Sequence, residues 1–439
     1  MADVSGSLPI ALEAKGVKMH LAMPKYRSLA SRGSDAEIGK EIKVHFVENH
    51  GYFDRPNLYG EKGKDYPDNL ERFAFFCRKS LELLRSKGLR VDLIHCNDWQ
   101  TALVPVYLKS LFREDPLLKG IKTIFTIHNL GYQGVFPQQE FEKTGLDRSY
   151  FHMEALEFYG KVNVLKGGLL FSDLLTTVSP TYSREIQTLE FGAGLEGVLS
   201  KRKKDLFGIT NGISEDLYDP GKDKHLKKNY TVHTLEGKVE NKKELQRHCG
   251  LAVRKDGPLI GMITRLADQK GLDIFVPSVE GLLKRGFQIV ILGTGDEKYE
   301  TVLREFGHTH PKSLSIHLTF DPVLAQKIYG GSDFFLMPSR YEPCGLGQMI
   351  ALRYGTIPIV RKTGGLADTI QDADAPGGNG FVFSEYRTEA LLACALRAQK
   401  AYADRTRWTA LVRGAMTFDF SWRVSAEKYL DLYHRVLAR

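Results

Sequence analysis

No apolar run in this 439-residue sequence approaches the ~18–20 residues that span a bilayer; runs such as Leu169–Phe171 and Leu391–Leu396 are short. The first residues, MADVSGSLPIALEAKG, lack a basic stretch followed by an apolar core, which argues against a secretory signal. Cysteine is sparse: five residues (Cys77, Cys96, Cys249, Cys344, Cys394), an odd number and widely scattered, with no CxxC and no Cys/His cluster at zinc spacing. His308 and His310 lie close together without further ligands nearby. Free thiols in a reducing compartment, and no metal site, are the reading. Gly293-Thr294-Gly295 lacks the third glycine of a dinucleotide fingerprint, which disfavours hydride transfer.

What is present is ordinary for a globular chain: 42% hydrophobic and 26% charged residues. The length favours two or three domains. Lysine and arginine total 61 against 53 acids, a net charge of +8 that suits an anionic partner. The lysine-rich stretches Lys201–Lys204 and Lys222–Lys228 read as solvated surface, because no nucleic-acid signature accompanies them.

Both halves read as α/β. In the first, 91–96 (VDLIHC), 123–128 (TIFTIH) and 174–178 (LLTTV) are strand candidates, with a helical segment over 101–111 between the first two. In the second, 259–264 (LIGMIT), 288–292 (QIVIL), 333–337 (DFFLM) and 357–360 (IPIV) are strands and 272–284 a helix. The polar, weakly periodic segment 212–243 reads as an inter-domain hinge, and 421–439 as a helix with one buried stripe. Open parallel sheets place ligands at the carboxyl ends of their strands, so chemistry is sought in the turns that follow them.

Three of those turns carry polar chemistry. Pro338–Gln348 (PSRYEPCGLGQ) offers a carboxylate, Glu342, next to a glycine-rich helix entry whose free N–H groups suit an anion or sugar hydroxyls. Arg361–Asp368 (RKTGGLAD) brings two glycines to a helix start, where a phosphate can approach the backbone. Ile263–Gly271 (ITRLADQKG) places Arg265 and Lys270 five residues apart, a pair able to neutralise a diphosphate. Cations and glycines at three strand ends of one sheet favour phosphate binding over plain packing turns.

TRLADQKG, SRYEPCGLGQMIALRYGTIPIVRKTGGLADT, FTIHNLGYQG, HCNDWQTALVPVYLK and TNGI resemble the bacterial glycogen and plant starch synthases, as do ADVSGSLP at the start and FDFSW near the end, all in the family's order. The resemblance covers nearly the whole chain. It implies the GT-B fold: two Rossmann-like, doubly wound α/β domains facing a cleft, the first spanning 1–215 and joined by a returning helix at 416–439, the second spanning 216–415. It implies transfer of α-glucosyl from the sugar nucleotide ADP-glucose to the non-reducing 4-OH of an α-1,4-glucan, with retention. No metal, no other cofactor, no nucleic acid and no membrane partner is implied. The implied location is the bacterial cytoplasm, or a plastid if a transit peptide has been lost with the start.

The family pattern further implies roles for individual residues. Arg265 and Lys270 hold the diphosphate, Glu342 lies beside the reacting carbon of the donor glucose, and His128 lies near the glucose from the first domain. Gly345, Leu346, Gly347, Thr363, Gly364 and Gly365 supply donor contacts, with the glycines giving backbone N–H groups to hydroxyls and phosphate. Phe320 matches an aromatic that stacks on adenine, and Asp3 and Asn211 approach the donor. Tyr59, Asp98 and Trp99 fall on the acceptor side. Eight residues after Glu342 stands Ile350, where many retaining transferases of this fold have a second glutamate; glycogen and starch synthases generally do not, and retention then proceeds by same-face attack. One departure is at the start: the family's first strand and Lys-x-Gly-Gly turn precede the equivalent of Ala2-Asp3-Val4. Without them, two strands of the first sheet are expected to lack a ladder partner. That departure keeps open a second reading, a weakened relative that binds glucan or nucleotide without efficient turnover.

Overall fold

The computed structural model describes residues 2–29, 33–61 and 63–439, and of Ala2 and Asp3 the backbone only. The chain forms two compact units, Met1–Ile209 with Trp422–Arg439, and Thr210–Ser421. No helix among the described residues is long and apolar enough to cross a membrane.

The first unit holds two sheets that position its functional loops. Strands β1 (His20–Pro24), β2 (Asp35–Ile38) and β3 (Ile42–Val47) form one sheet in the order β1-β3-β2. Strands β4 (Leu93–Asn97), β5 (Lys122–Ile127), β6 (Leu174–Thr177) and β7 (Leu206–Gly208) form a parallel sheet in the order β7-β6-β5-β4. Among the described residues β1 pairs only with β3 and β4 only with β5, so each sheet ends on a strand with one free edge. The carboxy-terminal helix, Trp422–Leu437, returns to this unit. It packs Trp422, Tyr429 and Val436 with Val4, Leu8 and Leu12 of the first helix, Ala2–Glu13.

The second unit is one parallel sheet of six strands: β8 (Leu259–Ile263), β9 (Gln288–Leu292), β10 (Leu314–His317), β11 (Phe334–Met337), β12 (Ile357–Arg361) and β13 (Phe381–Phe383). The order β10-β9-β8-β11-β12-β13 is that of a doubly wound Rossmann-like sheet. Its central strands are continuous apolar runs because helices cover both faces; all of Gln288–Leu292 is buried. The chain reverses its direction of winding between β8 and β11, and a ligand crevice opens at the carboxyl ends there.

Two expectations need correction. The helix read over 272–284 is broken into Leu272–Phe275, a tight turn at Val276–Ser278, and Val279–Lys284. Pro277 supplies no N–H to a continuous α-helical ladder. The segment 212–243 is not itself the junction but part of the second unit; the boundary between the units falls just before it, between Ile209 and Thr210. Tyr230 is fully buried there, its hydroxyl donating to Tyr354 O at 2.8 Å, and a helix, Glu236–His248, starts inside the segment. Its charged positions hid the buried face: Lys242 is itself buried and ion-paired to Asp333 at 2.6 Å.

Candidate active site

The crevice at the winding reversal is a cavity of about 280 Å³. Its polar lining includes Thr264, Arg265, Lys270, Ser339 and Glu342, and the glycine-rich Gly345–Gly347 turn closes one side. Two loops build it, one after β8 and one after β11. They touch at Gly271, whose φ of +75° is a left-handed conformation and whose missing Cβ would stand 2.0 Å from Pro338 O. The Arg340 N–H donates to Gln269 O at 2.9 Å and clamps the same pair of loops.

Lys270 and Glu342, 72 residues apart, meet inside this cavity. Lys270 Nζ donates to Glu342 Oε2 at 2.7 Å, and Ser339 Oγ donates to the same oxygen at 2.9 Å. Their side chains are 18% and 7% exposed. An ion pair so shielded from water is held firmly, and losing either partner strands a charge in a poor solvent. Arg265 is exposed on the cavity wall, with Nη2 3.4 Å from Gln269 Oε1. The site therefore presents one cation committed to a carboxylate and a second at the solvent side.

The helix Gly347–Arg353 begins at Leu346 without a side-chain cap, so its start leaves backbone N–H groups for a ligand. Two buried amide oxygens adjoin this turn without a hydrogen-bond partner among the described residues, Asn211 Oδ1 and Gln348 Oε1. The Gln348 amide nitrogen is spent on Cys344 O, Gly345 O and Thr369 Oγ1. Thr363 is buried just before the helix Gly364–Thr369.

The expectation for Gly365 is corrected here. Its N–H donates to Glu342 O at 3.0 Å, so it is not a donor to a ligand. A Cβ at Gly365 would lie 2.0 Å from Cys344 O. The second glycine lets the two backbones pass in contact and sets the height of Glu342. Phe320 is 90% exposed in the turn between β10 and the helix Pro322–Gly331, and it does not line the cavity.

In the first unit, the ends of β4 and β5 assemble a second polar group. Asp98 has φ 56° and ψ 179°, a conformation that strains any residue but glycine. Its N–H donates to Thr126 O at 2.9 Å, and its Oδ1 accepts the His128 N–H at 2.7 Å. Burial pushes the Asp98 carboxyl up to about 7, against the pull of that backbone N–H. Burial pulls His128 down to about 3, so the ring is neutral at working pH. His128 Nε2 lies 2.9 Å from Asn97 Oδ1.

Tyr59 is 37% exposed, and its hydroxyl is raised by burial and by the Asp98 charge, which places the two groups near each other. Trp99 is corrected: its ring is 8% exposed and sits edge-on against Phe73 and Phe136 at centroid distances of 5.0 and 5.7 Å. It is a core residue that supports the loop, because a flat indole offered no sequence signal to separate packing from ligand contact. The side chain of Asp3 lies outside the described residues. Sequence reasoning missed Ser339, Gln348 and Asn97. The first two lie inside the quoted PSRYEPCGLGQ turn and the third inside HCNDW, but their roles depend on which carboxylate, carbonyl or ring nitrogen the fold brings to them.

The buried groups of this unit give a pH-dependent stability. His95 is also buried, pulled down to about 4, with its nitrogens 2.8 Å from Tyr433 Oη and 2.6 Å from Thr126 Oγ1. Below the ordinary histidine value of 6.5, the unfolded chain binds protons that folded His95 and His128 exclude, so their contribution drains away as pH falls. Asp98 has the opposite sign. Its folded value of about 7 exceeds the ordinary 3.8, so its contribution is complete below 3.8 and is lost as pH rises through 7. Between pH 4.5 and 6 the three groups leave one net proton on the unfolded side, a rise in stability of ~1.4 kcal/mol per pH unit. Asp98→Asn removes the opposing group and is expected to double that slope. Urea unfolding at several pH values in this window measures it; an unchanged slope in Asp98→Asn would contradict the assignment of Asp98.

Known proteins resemble this chain over its whole length. The starch synthase catalytic domain model matches residues 1–201, and the glycosyl transferases group 1 model matches residues 246–410. The chain is 47% identical to a glycogen synthase of Geotalea daltonii and 45% identical to one of Thermotoga maritima, in each case over 100% of this chain and 96% of the relative. The catalytic domain of starch synthase IV from Arabidopsis thaliana, solved with ADP and acarbose bound, superposes with a TM-score of 0.91 at 34% identity, covering 100% of this chain and 96% of that one. A sucrose-phosphate synthase from Thermosynechococcus elongatus, at 18% identity and a TM-score of 0.64 over 98% and 92% of the two chains, shares the fold. With its two Rossmann-like units and the Lys270–Glu342 cavity between the β8 and β11 turns, the chain belongs to the glycogen and starch synthase family of GT-B glycosyltransferases.

Proposed function

We propose that this chain transfers the α-glucosyl group of ADP-glucose to the non-reducing 4-OH of an α-1,4-glucan with retention, the second unit holding the donor and the first the acceptor. The observation that carries the reading is the Lys270–Glu342–Ser339 group beside Arg265 in the cavity at the winding reversal. A nucleoside diphosphate leaves readily when its growing charge is held, and two preplaced cations do this without reorganising solvent. ADP bound to the Arabidopsis relative supports a nucleoside diphosphate as the leaving group. Glu342, oriented by two donors on one oxygen, meets the donor glucose. The acceptor hydroxyl attacks on the face the diphosphate leaves and passes its proton to a departing phosphate oxygen. His128 is assigned to the transferred glucose, and Asp98 and Tyr59 to the acceptor. No step in this reading calls for a metal ion.

The choice of donor base rests on Phe320. Its exposed ring at the carboxyl end of β10 is a stacking surface for adenine. Phe320→Ala is expected to raise KM for ADP-glucose roughly 5–50-fold while kcat changes little. Steady-state kinetics with ADP-glucose and UDP-glucose on glycogen test this; an unchanged KM for ADP-glucose would remove Phe320 from the donor site, and equal turnover of the two donors would reject ADP-glucose as the specific substrate.

A further inference from the structure

We propose that Asn97 is a positioning residue that fixes which nitrogen of His128 carries the ring proton: Asn97 Oδ1 accepts Nε2–H, and Nδ1 keeps its lone pair for a hydroxyl of the bound sugar. The sugar half of this proposal rests on the reading that His128 belongs to the active site.

Both partners are held by the backbone. β4 and β5 pair in parallel register up to Asn97 opposite Thr126, which sets the two strand ends side by side. The Asn97 N–H donates to Thr101 Oγ1 at 2.6 Å, and the Thr101 hydroxyl lies 2.9 Å from Asn97 O. His128 is fixed through its own N–H on Asp98 Oδ1 at 2.7 Å. With both backbones anchored, the 2.9 Å contact between Asn97 Oδ1 and His128 Nε2 is a built contact between two short side chains. An amide oxygen only accepts, so Nε2 carries the hydrogen and the neutral ring leaves Nδ1 as the acceptor. Nδ1 has no hydrogen-bond partner among the described residues.

The choice of an amide rather than a carboxylate matters. An aspartate in the same place would orient the ring equally well but would stabilise the imidazolium, as in hydrolase triads. A positive ring would donate from both nitrogens and could no longer accept from a sugar hydroxyl. The other titratable groups near the ring are Asp98, which is committed to the His128 N–H, and His95 on β4. Neither replaces Asn97 at Nε2. Asn97 thus selects a ligand that donates a hydrogen bond at this point.

The test uses the full chain labelled with ¹⁵N-histidine, the His128 resonances being assigned by their loss in His128→Ala. Two-bond nitrogen–proton correlation between pH 5 and 8 is expected to show a protonated Nε2 and a bare Nδ1 in the wild type. In Asn97→Asp the ring is expected to take up a proton within that range, and the acid limb of kcat/KM for glucosyl transfer moves to higher pH with it. Asn97→Leu is expected to mix the tautomers and to lower kcat/KM by about 10–100-fold, and Asn97→His, whose ring nitrogen can also accept, to recover part of that loss. A wild-type ring protonated at Nδ1, or a His128 titration in Asn97→Asp that superimposes on the wild type, would overturn the role of Asn97. Full transfer activity in His128→Ala, with the Nε2–H tautomer present in the wild type, would instead overturn the sugar half and with it the active-site reading of His128.

Discussion

Lys270→Ala and Arg265→Ala are each expected to lower kcat/KM for glucosyl transfer from ADP-glucose by about 10²–10³-fold. Both residues line one cavity at the carboxyl ends of β8 and β11, and the reaction builds charge on a departing diphosphate there. The two variants should differ in stability. Arg265 is exposed, so its loss should leave the melting temperature nearly unchanged. Lys270 neutralises Glu342, whose side chain is 7% exposed, so Lys270→Ala strands a carboxylate and should cost about 3 kcal/mol of folding free energy. The double variant Lys270→Met, Glu342→Gln removes both charges and should recover most of that stability with none of the activity. Near-normal turnover of either single variant at saturating donor would show that the diphosphate is held elsewhere.

Gly271→Ala is expected to damage the same site without touching a charged group. The residue sits at φ +75°, and an added Cβ would come within 2.0 Å of Pro338 O. That obstacle is backbone, not the end of a flexible side chain, so one of the two loops must move. Left-handed strain plus this displacement should cost about 3 kcal/mol. The loops that move carry Lys270 on one side and Ser339 and Glu342 on the other, so kcat/KM should fall by about 10²-fold. Calorimetry and steady-state kinetics on one preparation check both effects. A wild-type melting temperature and activity in Gly271→Ala would show that the loops are not locked at this contact.

Much of this site was legible because its chemistry is local. TRLADQKG and PSRYEPCGLGQ each read as a strand-end turn with a charge and a glycine, and both line the cavity. Their meeting was not legible from periodicity. It follows from the strand order, which sets β8 beside β11 although β9 and β10 intervene in the chain. Residues whose role is to hold another group were also hidden. Ser339 becomes meaningful only once its hydroxyl is 2.9 Å from Glu342, and Gly365 only once its N–H is paired to Glu342 O. The 272–284 helix misled because its apolar spacing continues through Pro277, whereas its hydrogen-bond ladder cannot. The 212–243 segment misled because buried lysines such as Lys242 count as surface in any polarity pattern. Trp99 misled in the other direction, an aromatic beside a functional aspartate that turned out to be core.

The most direct test of the central claim is incorporation of labelled glucose from ADP-glucose into glycogen by the full chain, followed by digestion of the product with an exo-acting enzyme specific for α-1,4 linkages. The account predicts label in the polymer, released completely by that digestion, and a fall to about 1% or less of the wild-type rate in Lys270→Ala. Absence of incorporation by the folded wild-type protein, or label bound in a linkage that resists the enzyme, would contradict it.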